Sequence, residues 1–149
     1  QDNQNFLTEL GTLLNKQELA LKLNEKINVI FDSSKELSPR KVAYLIWKNP
    51  YMTVGSDTFI HEIIEKIGFT NLFEDSKRYP EISVNQMKEA EYVFLSSEPF
   101  PFQQKHIDEL QKELPDSKII LVDGEAFSWY GTHLSRCGDY FKTLREIIE

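Results

Sequence analysis

A chain of 149 residues, 40% hydrophobic and 28% charged, has room for one ordinary domain with a real core. Its net charge of −7 argues against nucleic-acid binding, because phosphate recognition needs concentrated Lys and Arg. One cysteine, Cys137, leaves no internal disulfide and no thiolate metal cage, and no apolar run approaches the roughly 18 residues of a membrane span.

Residues 1–37 contain no proline and read as helix. Phe6, Leu7, Leu10, Leu13 and Leu14 recur at three- and four-residue steps, as a buried stripe requires. Asn15 tolerates the left-handed conformation that ends helices. A second helix follows, with Leu19, Leu23, Ile27, Ile30 and Phe31 along one face, and Ser38-Pro39 closes it because the residue before proline avoids helix. The period then changes. A strand is expected at 41–46 and a helix at 57–67, with Asp57 as N-cap, Gly68 as C-cap and Phe59, Ile60, Ile63, Ile64 and Ile67 inward. Asn71-Leu72-Phe73 reads as a short extended piece, and Ser83 caps a short helix through Lys88. A strand at 91–96, a helix at 102–114 carrying Ile107, Leu110 and Leu114 and ended by Pro115, and a strand at 118–122 come next. The last helix, near 138–148, is expected to bury Tyr140 or Phe141, Leu144, Ile147 and Ile148. Alternating strands and helices predict an α/β fold, a three-layer α/β/α arrangement with a mostly parallel sheet. The strands are continuous apolar runs, as expected when both faces are covered.

The three strong strands empty into loops rich in aromatics: Trp47 and Tyr51 after the first, Phe100 and Phe102 after the second, Phe127, Trp129 and Tyr130 after the third. If the strands are parallel, these loops share one edge, where open α/β sheets bind ligands. Any one ring is explained by packing. Seven together, stiffened by Pro50, Pro99 and Pro101, point to a ligand or partner surface, and flat rings suit a conjugated ligand. His61, His106 and His133 lack paired-ligand spacing; the first two are expected on helix surfaces and the third at the rim of the last loop. Ser97, His106 and Asp123 supply the residue types of a triad, but without a GxSxG elbow, and no GxGxxG or Walker pattern is present. Glu98 and Glu125 follow strand ends, either as a carboxylate pair or as partners of polar ligand groups. On these residues alone, a small α/β enzyme using Glu98, Glu125 or Asp123 and a protein-interaction module both stay open.

Arg78-Tyr79-Pro80-Glu81-Ile82-Ser83, a short helix and Glu91-Tyr92-Val93-Phe94-Leu95 resemble a signature of helical-backbone (class III) periplasmic substrate-binding proteins of ABC importers. Val54-Gly55-Ser56-Asp57-Thr58-Phe59-Ile60 and Gly68-Phe69-Thr70-Asn71-Leu72-Phe73 match that family's C-terminal lobe in order and spacing, and Leu13-Leu14-Asn15-Lys16-Gln17-Glu18 resembles the turn that opens its interlobe helix. The resemblance covers nearly the whole chain but only the second half of such a protein. It implies two α/β lobes joined by a rigid helix, here about 16–36, with residues 1–37 as N-terminal helices, 38–149 as the C-terminal lobe, and the N-terminal lobe outside this chain. It further implies a non-enzymatic binding component for a metal chelate (iron–siderophore, haem or cobalamin), with no intrinsic cofactor and no metal held by protein side chains alone. Ligand contacts carry over to Trp47, Tyr51, Phe100, Trp129 and Tyr130, with Phe102 in the same loops and Lys48, Glu98 and Glu125 pairing polar groups. The family docks on an ABC permease through a glutamate two residues after the motif serine; Asn85 stands there, with Glu81 as the nearby candidate substitute. The implied location is periplasmic or a cell-surface lipoprotein, and a chain beginning at Gln1 reads as a piece of a longer one whose signal segment lies upstream.

Overall fold

The computed structural model describes residues 2–32 and 40–148. In chain order they form α1 (Asp2–Leu13), α2 (Gln17–Asp32), β1 (Arg40–Leu45), β2 (Tyr51–Met52), α3 (Phe59–Lys66), β3 (Phe69–Asn71) and β4 (Glu81–Ile82). A 3₁₀ turn at Val84–Met87 leads into β5 (Tyr92–Ser96), α4 (Gln104–Glu113), β6 (Lys118–Val122) and α5 (Gly124–Ser128). A second 3₁₀ segment, Gly131–Arg136, precedes α6 (Gly138–Ile148). By compactness the chain divides into residues 40–128 and a second unit of residues 2–32 with 129–148. That division differs from 1–37 and 38–149 at its C-terminal end, because α6 packs with the N-terminal helices.

The sheet unit is the expected α/β layer structure. Its four main strands lie in the order β3-β1-β5-β6, all parallel, and β2 and β4 form a separate antiparallel ribbon. Alternate residues of a strand point to opposite faces. Ala43, Leu45, Val93, Leu95 and Ile119 therefore share one face, where they meet Met87, Leu110 of α4 and Leu114 just beyond its end. Val42, Tyr44 and Phe94 point the other way, toward Phe127, whose ring centroid lies 5.0 Å from Tyr44 and 6.1 Å from Phe94. Ile60, Ile63 and Ile64 of α3 are buried, as their spacing predicts, while Phe59 is only half-buried. The cap is Thr58, not Asp57: its hydroxyl accepts the His61 N–H at 3.2 Å. Asp57 instead accepts the N–H of Arg78, which pins the 76–78 loop. Gly68 follows the helix at φ 90°, a conformation that favours glycine.

In the second unit, Asn15 has φ 52° and separates α1 from α2 as expected. The buried stripe is displaced, however. Phe6, Leu10, Leu13 and Leu14 are exposed, as is Leu19 of α2. The buried row of α1 is Asn3, Leu7 and Gly11, one position every four residues, and it meets Ala20, Ile27 and Phe31 of α2. Gly11 is the closest approach: a Cβ there would lie 2.6 Å from that of Ala20, so helix contact selects small residues over the larger leucines. Phe31 continues to Phe141 of α6, with ring centroids 6.0 Å apart. Phe141 and Leu144 are buried, Tyr140 is half-buried, and Ile147 is exposed against expectation while Arg145 is buried in its place. The Ser38-Pro39 stop and the far end of the 16–36 helix lie outside the described residues, as does the side chain of Ile148.

Candidate functional site

Because β1, β5 and β6 run parallel, the loops after all three emerge at one sheet edge. From β1 the chain crosses α3 to β3 on one flank, then returns to place β5 on the other. The connections diverge between β1 and β5, which makes that gap the topological switch point where open sheets leave a crevice. A hollow of about 540 Å³ lies there. Ile46, Trp47 and Met52 form the wall after β1; Ser96, Glu98 and Pro99 form the wall after β5; Ile60, Tyr79 and Ser128 complete the lining.

Local chemistry explains how these groups converge. Residues 46–52 make a tight hairpin: Ile46 N–H donates to Met52 O at 3.0 Å, Met52 N–H to Trp47 O at 3.2 Å, and Asn49 takes φ 65°. The loop after β5 is tied to it by Phe100 N–H donating to Ile46 O at 3.3 Å, and Trp47 sits edge-on to Phe100 with centroids 5.6 Å apart. Tyr79 arrives through the ribbon, where Thr53 N–H donates to Pro80 O and Gly55 N–H to Arg78 O. The polar floor is a relay. Tyr44 Oη donates to Ser96 Oγ at 3.1 Å, Ser96 Oγ donates to the Glu98 carbonyl, and the Ser128 hydroxyl proton is shared between the Gly124 carbonyl at 2.7 Å and Glu98 Oε1 at 2.9 Å. Gly124 lets the β6–α5 turn close on this relay: its N–H donates to Ser97 Oγ at 2.9 Å, and a Cβ there would lie 2.5 Å from both Glu98 Cγ and Ser96 Oγ.

Of the residues singled out in the sequence, Trp47 and Glu98 line the hollow. Tyr51 is half-buried in β2 against the core, and burial pushes its phenol pKa up. Phe100 is partly buried beside it. Phe102 is core packing, 5% exposed with its ring 4.7 Å from Phe100, because the chain turns inward there to start α4. Phe127 is fully buried under Tyr44. Lys48 reaches away to an ion pair with Glu109 of α4, and its ammonium holds that carboxyl below the usual range. Glu125 is half-buried in the first turn of α5, its N–H donating to Asp123 Oδ1 at 3.0 Å. Trp129 and Tyr130 are exposed in the second unit, where the Trp129 ring lies 5.5 Å from His133. Glu81 and Asn85 are both exposed, on β4 and on the following 3₁₀ turn.

Two histidines depart from expectation. His61 is 7% exposed: Nδ1 lies 3.2 Å from the Asn71 amide nitrogen and Nε2 3.5 Å from Glu65 Oε1. His106 is 6% exposed, accepts the Gln103 N–H at 2.9 Å and stacks against Phe100 and Phe102. Both nitrogens of His61 and Nδ1 of His106 meet local partners, which offsets the cost of burial. The triad candidates are engaged elsewhere too, Ser97 with Gly124 and His106 with Gln103. Among the described residues, no cluster of three or more His, Cys, Asp or Glu is placed to hold a metal ion. Met52, Tyr79 and Ser128 are site residues that sequence spacing does not reveal; Tyr79 had a signal only in the Arg78-Tyr79-Pro80 stretch.

The sheet order, the ribbon and the flanking helices are the fold of a lobe of periplasmic solute-binding proteins. Among solved structures, a possible iron-binding (periplasmic solute-binding) protein from Staphylococcus epidermidis matches 98% of this chain and 61% of its own, at TM-score 0.73 and 20% identity. The periplasmic heme-binding protein RhuT from Roseiflexus sp. RS-1 matches 98% and 63%, at 0.77 and 15%. The periplasmic heme-binding protein HutB of Vibrio cholerae matches 91% and 60%, at 0.71 and 21%. The chain thus spans about three fifths of the length of these structures. No family model and no curated protein matches the sequence.

Proposed function

We propose that the chain is the C-terminal lobe, with its connecting helix, of an extracytoplasmic substrate-binding protein that delivers a metal chelate to an ABC permease. The observation that carries this reading is the aromatic-walled hollow at the β1–β5 switch point, with Trp47 40% exposed on one wall and Glu98 set opposite. Its volume is that of a small-ligand subsite, and its few polar groups are hydrogen-bonded in place, which suits orientation of a ligand. The shared fold with heme-binding and iron-binding periplasmic proteins supports haem or an iron chelate as cargo, and the iron–siderophore and cobalamin alternatives are carried by the sequence resemblance. Trp129 and Tyr130 keep their proposed role as contacts on the strength of the sequence resemblance. The exposed Glu81 and Asn85 mark the proposed permease-docking edge, and the location is proposed as periplasmic or cell-surface.

The test uses the full-length protein. Hemin, cyanocobalamin and ferric siderophores are titrated while tryptophan fluorescence and ligand absorbance are recorded. Trp47→Ala is expected to weaken binding of the accepted chelate about tenfold, from lost stacking and burial. Saturable binding of none of these chelates by the wild-type protein refutes the reading.

A further inference from the structure

Resting on that reading of the hollow, we infer that Asp57, which lies outside the lining, is a positioning residue for it: its carboxylate holds Arg78 in the left-handed backbone conformation that presents Tyr79 to the cargo. Arg78 has φ 57°, a region that residues other than glycine rarely adopt. Such a conformation persists only where the surroundings hold it. Residues 55–57 do so here. Arg78 N–H donates to Asp57 Oδ1, Arg78 O accepts the Gly55 N–H at 2.7 Å, and Arg78 Nε lies 3.5 Å from Asp57 Oδ2. Two residues earlier, Ser76 O accepts the Ser56 N–H at 2.9 Å. On the far side of Tyr79, Pro80 O accepts the Thr53 N–H at 3.1 Å, and Thr53 Oγ1 donates to Tyr44 O of β1 at 2.7 Å. The carbonyls on both sides of Tyr79 are thus tied to one segment anchored on the sheet, while Tyr79 itself, 48% exposed, lines the hollow.

Of the two contacts that Asp57 makes with Arg78, the one to the backbone decides. The Arg78 side chain is 82% exposed, and an ion pair so open to solvent contributes little. A carboxylate accepting a backbone N–H makes the stronger, charge-assisted bond. That N–H is also the leading cause that holds the Asp57 carboxyl below its usual pKa range. Without the acceptor, Arg78 relaxes toward the more populated regions of backbone space, and the residue that follows it, Tyr79, is aimed elsewhere. Affinity then falls with the fraction of molecules that keep Tyr79 in place.

The full-length protein is titrated with hemin, cyanocobalamin, ferrioxamine B and ferric enterobactin. The chelate that the wild type binds most tightly is then titrated into Asp57→Ala, Asp57→Asn, Tyr79→Ala and the double variant Asp57→Ala/Tyr79→Ala. Asn keeps an acceptor for the Arg78 N–H and loses the charge before α3 just as Ala does, so the difference between the two isolates the hydrogen bond. Asp57→Ala is expected to weaken binding about tenfold and Asp57→Asn less than about threefold. Tyr79→Ala should weaken it at least as much as Asp57→Ala, and adding Asp57→Ala to Tyr79→Ala should cost less than about twofold more. A merely structural role would not make the effect of Asp57 depend on Tyr79. Wild-type affinity in Asp57→Ala, equal losses in the Ala and Asn variants, or the same Asp57→Ala loss with and without Tyr79 overturns the positioning inference and leaves chelate binding standing. Binding of none of the four by the wild type overturns the proposed function, and this inference with it.

Discussion

Replacing Gly124 with alanine sets two known effects against each other. Gly124 opens α5, and in a helix alanine is favoured over glycine by about 1 kcal/mol, so propensity alone predicts a more stable protein. Sterics predict the opposite. The new methyl would lie 2.5 Å from Glu98 Cγ, 2.5 Å from Ser96 Oγ and 3.0 Å from the Glu98 backbone nitrogen. Glu98 Cγ could swing aside, but Ser96 Oγ is held by Tyr44 and the Glu98 carbonyl, and a backbone atom moves only with its strand end. Overpacking of this kind costs about 1–3 kcal/mol, enough to outweigh the propensity gain. The expected net loss, up to about 2 kcal/mol, lowers the melting temperature by up to roughly 8 °C for a domain of this size. Circular-dichroism melts of wild type and variant give the answer. Gly131→Ala is the control: its φ is +80° and a Cβ there meets only Phe6 at 3.8 Å, so any loss at that position is conformational. A Gly124→Ala variant as stable as wild type, or more so, would refute the packing argument and the claim that this turn braces Glu98.

Acidification should destabilise the protein through His106 before the carboxylates titrate. Burial, with the nearby Lys48 and Lys105, holds its folded pKa below the ordinary 6.5, so its contribution is present above that value and is lost as pH falls through the folded pKa. Urea unfolding at about pH 7.5 and about pH 5.5 should show a smaller loss for His106→Gln than for wild type; equal losses would remove His106 as the cause. At lower pH the depressed carboxyls of Glu91, held by Arg40, and Asp57, held by the Arg78 N–H, add losses of the same sign. Leu110 of α4 is fully buried between the sheet and its helix. Leu110→Ala should cost about 2–5 kcal/mol by the same urea assay, and a cost under about 1 kcal/mol would mean that α4 is not a packed layer.

The strands and helices of the sheet unit were legible because their signals are local. Val42 to Leu45, Tyr92 to Leu95 and Ile119 to Val122 are apolar runs of strand length, and α3, α4 and α6 carry their buried residues at helical spacing. The N-terminal stripe misled for a physical reason. Leucines at three- and four-residue steps mark an apolar face, but which face packs depends on the partner, and Gly11 against Ala20 allows a closer approach than Leu10 or Leu14 could. The same holds for the aromatic loops. Trp47 and Phe102 look alike in sequence, yet one stands at the rim of the hollow and the other sits under α4.

By itself, then, the sequence determined the α/β class and the chain positions of the three strong strands whose loops share an edge, since periods of two and 3.6 residues are written into neighbouring positions. Only the tertiary structure decided which of those loops make a site. The pairing of Tyr51 with Ile82 that carries Tyr79 to the hollow, the switch between β1 and β5, and the seat of Gly124 against Glu98 all join residues far apart along the chain. Such contacts depend on register and on space left by absent side chains, and neither is encoded in any short stretch of residues.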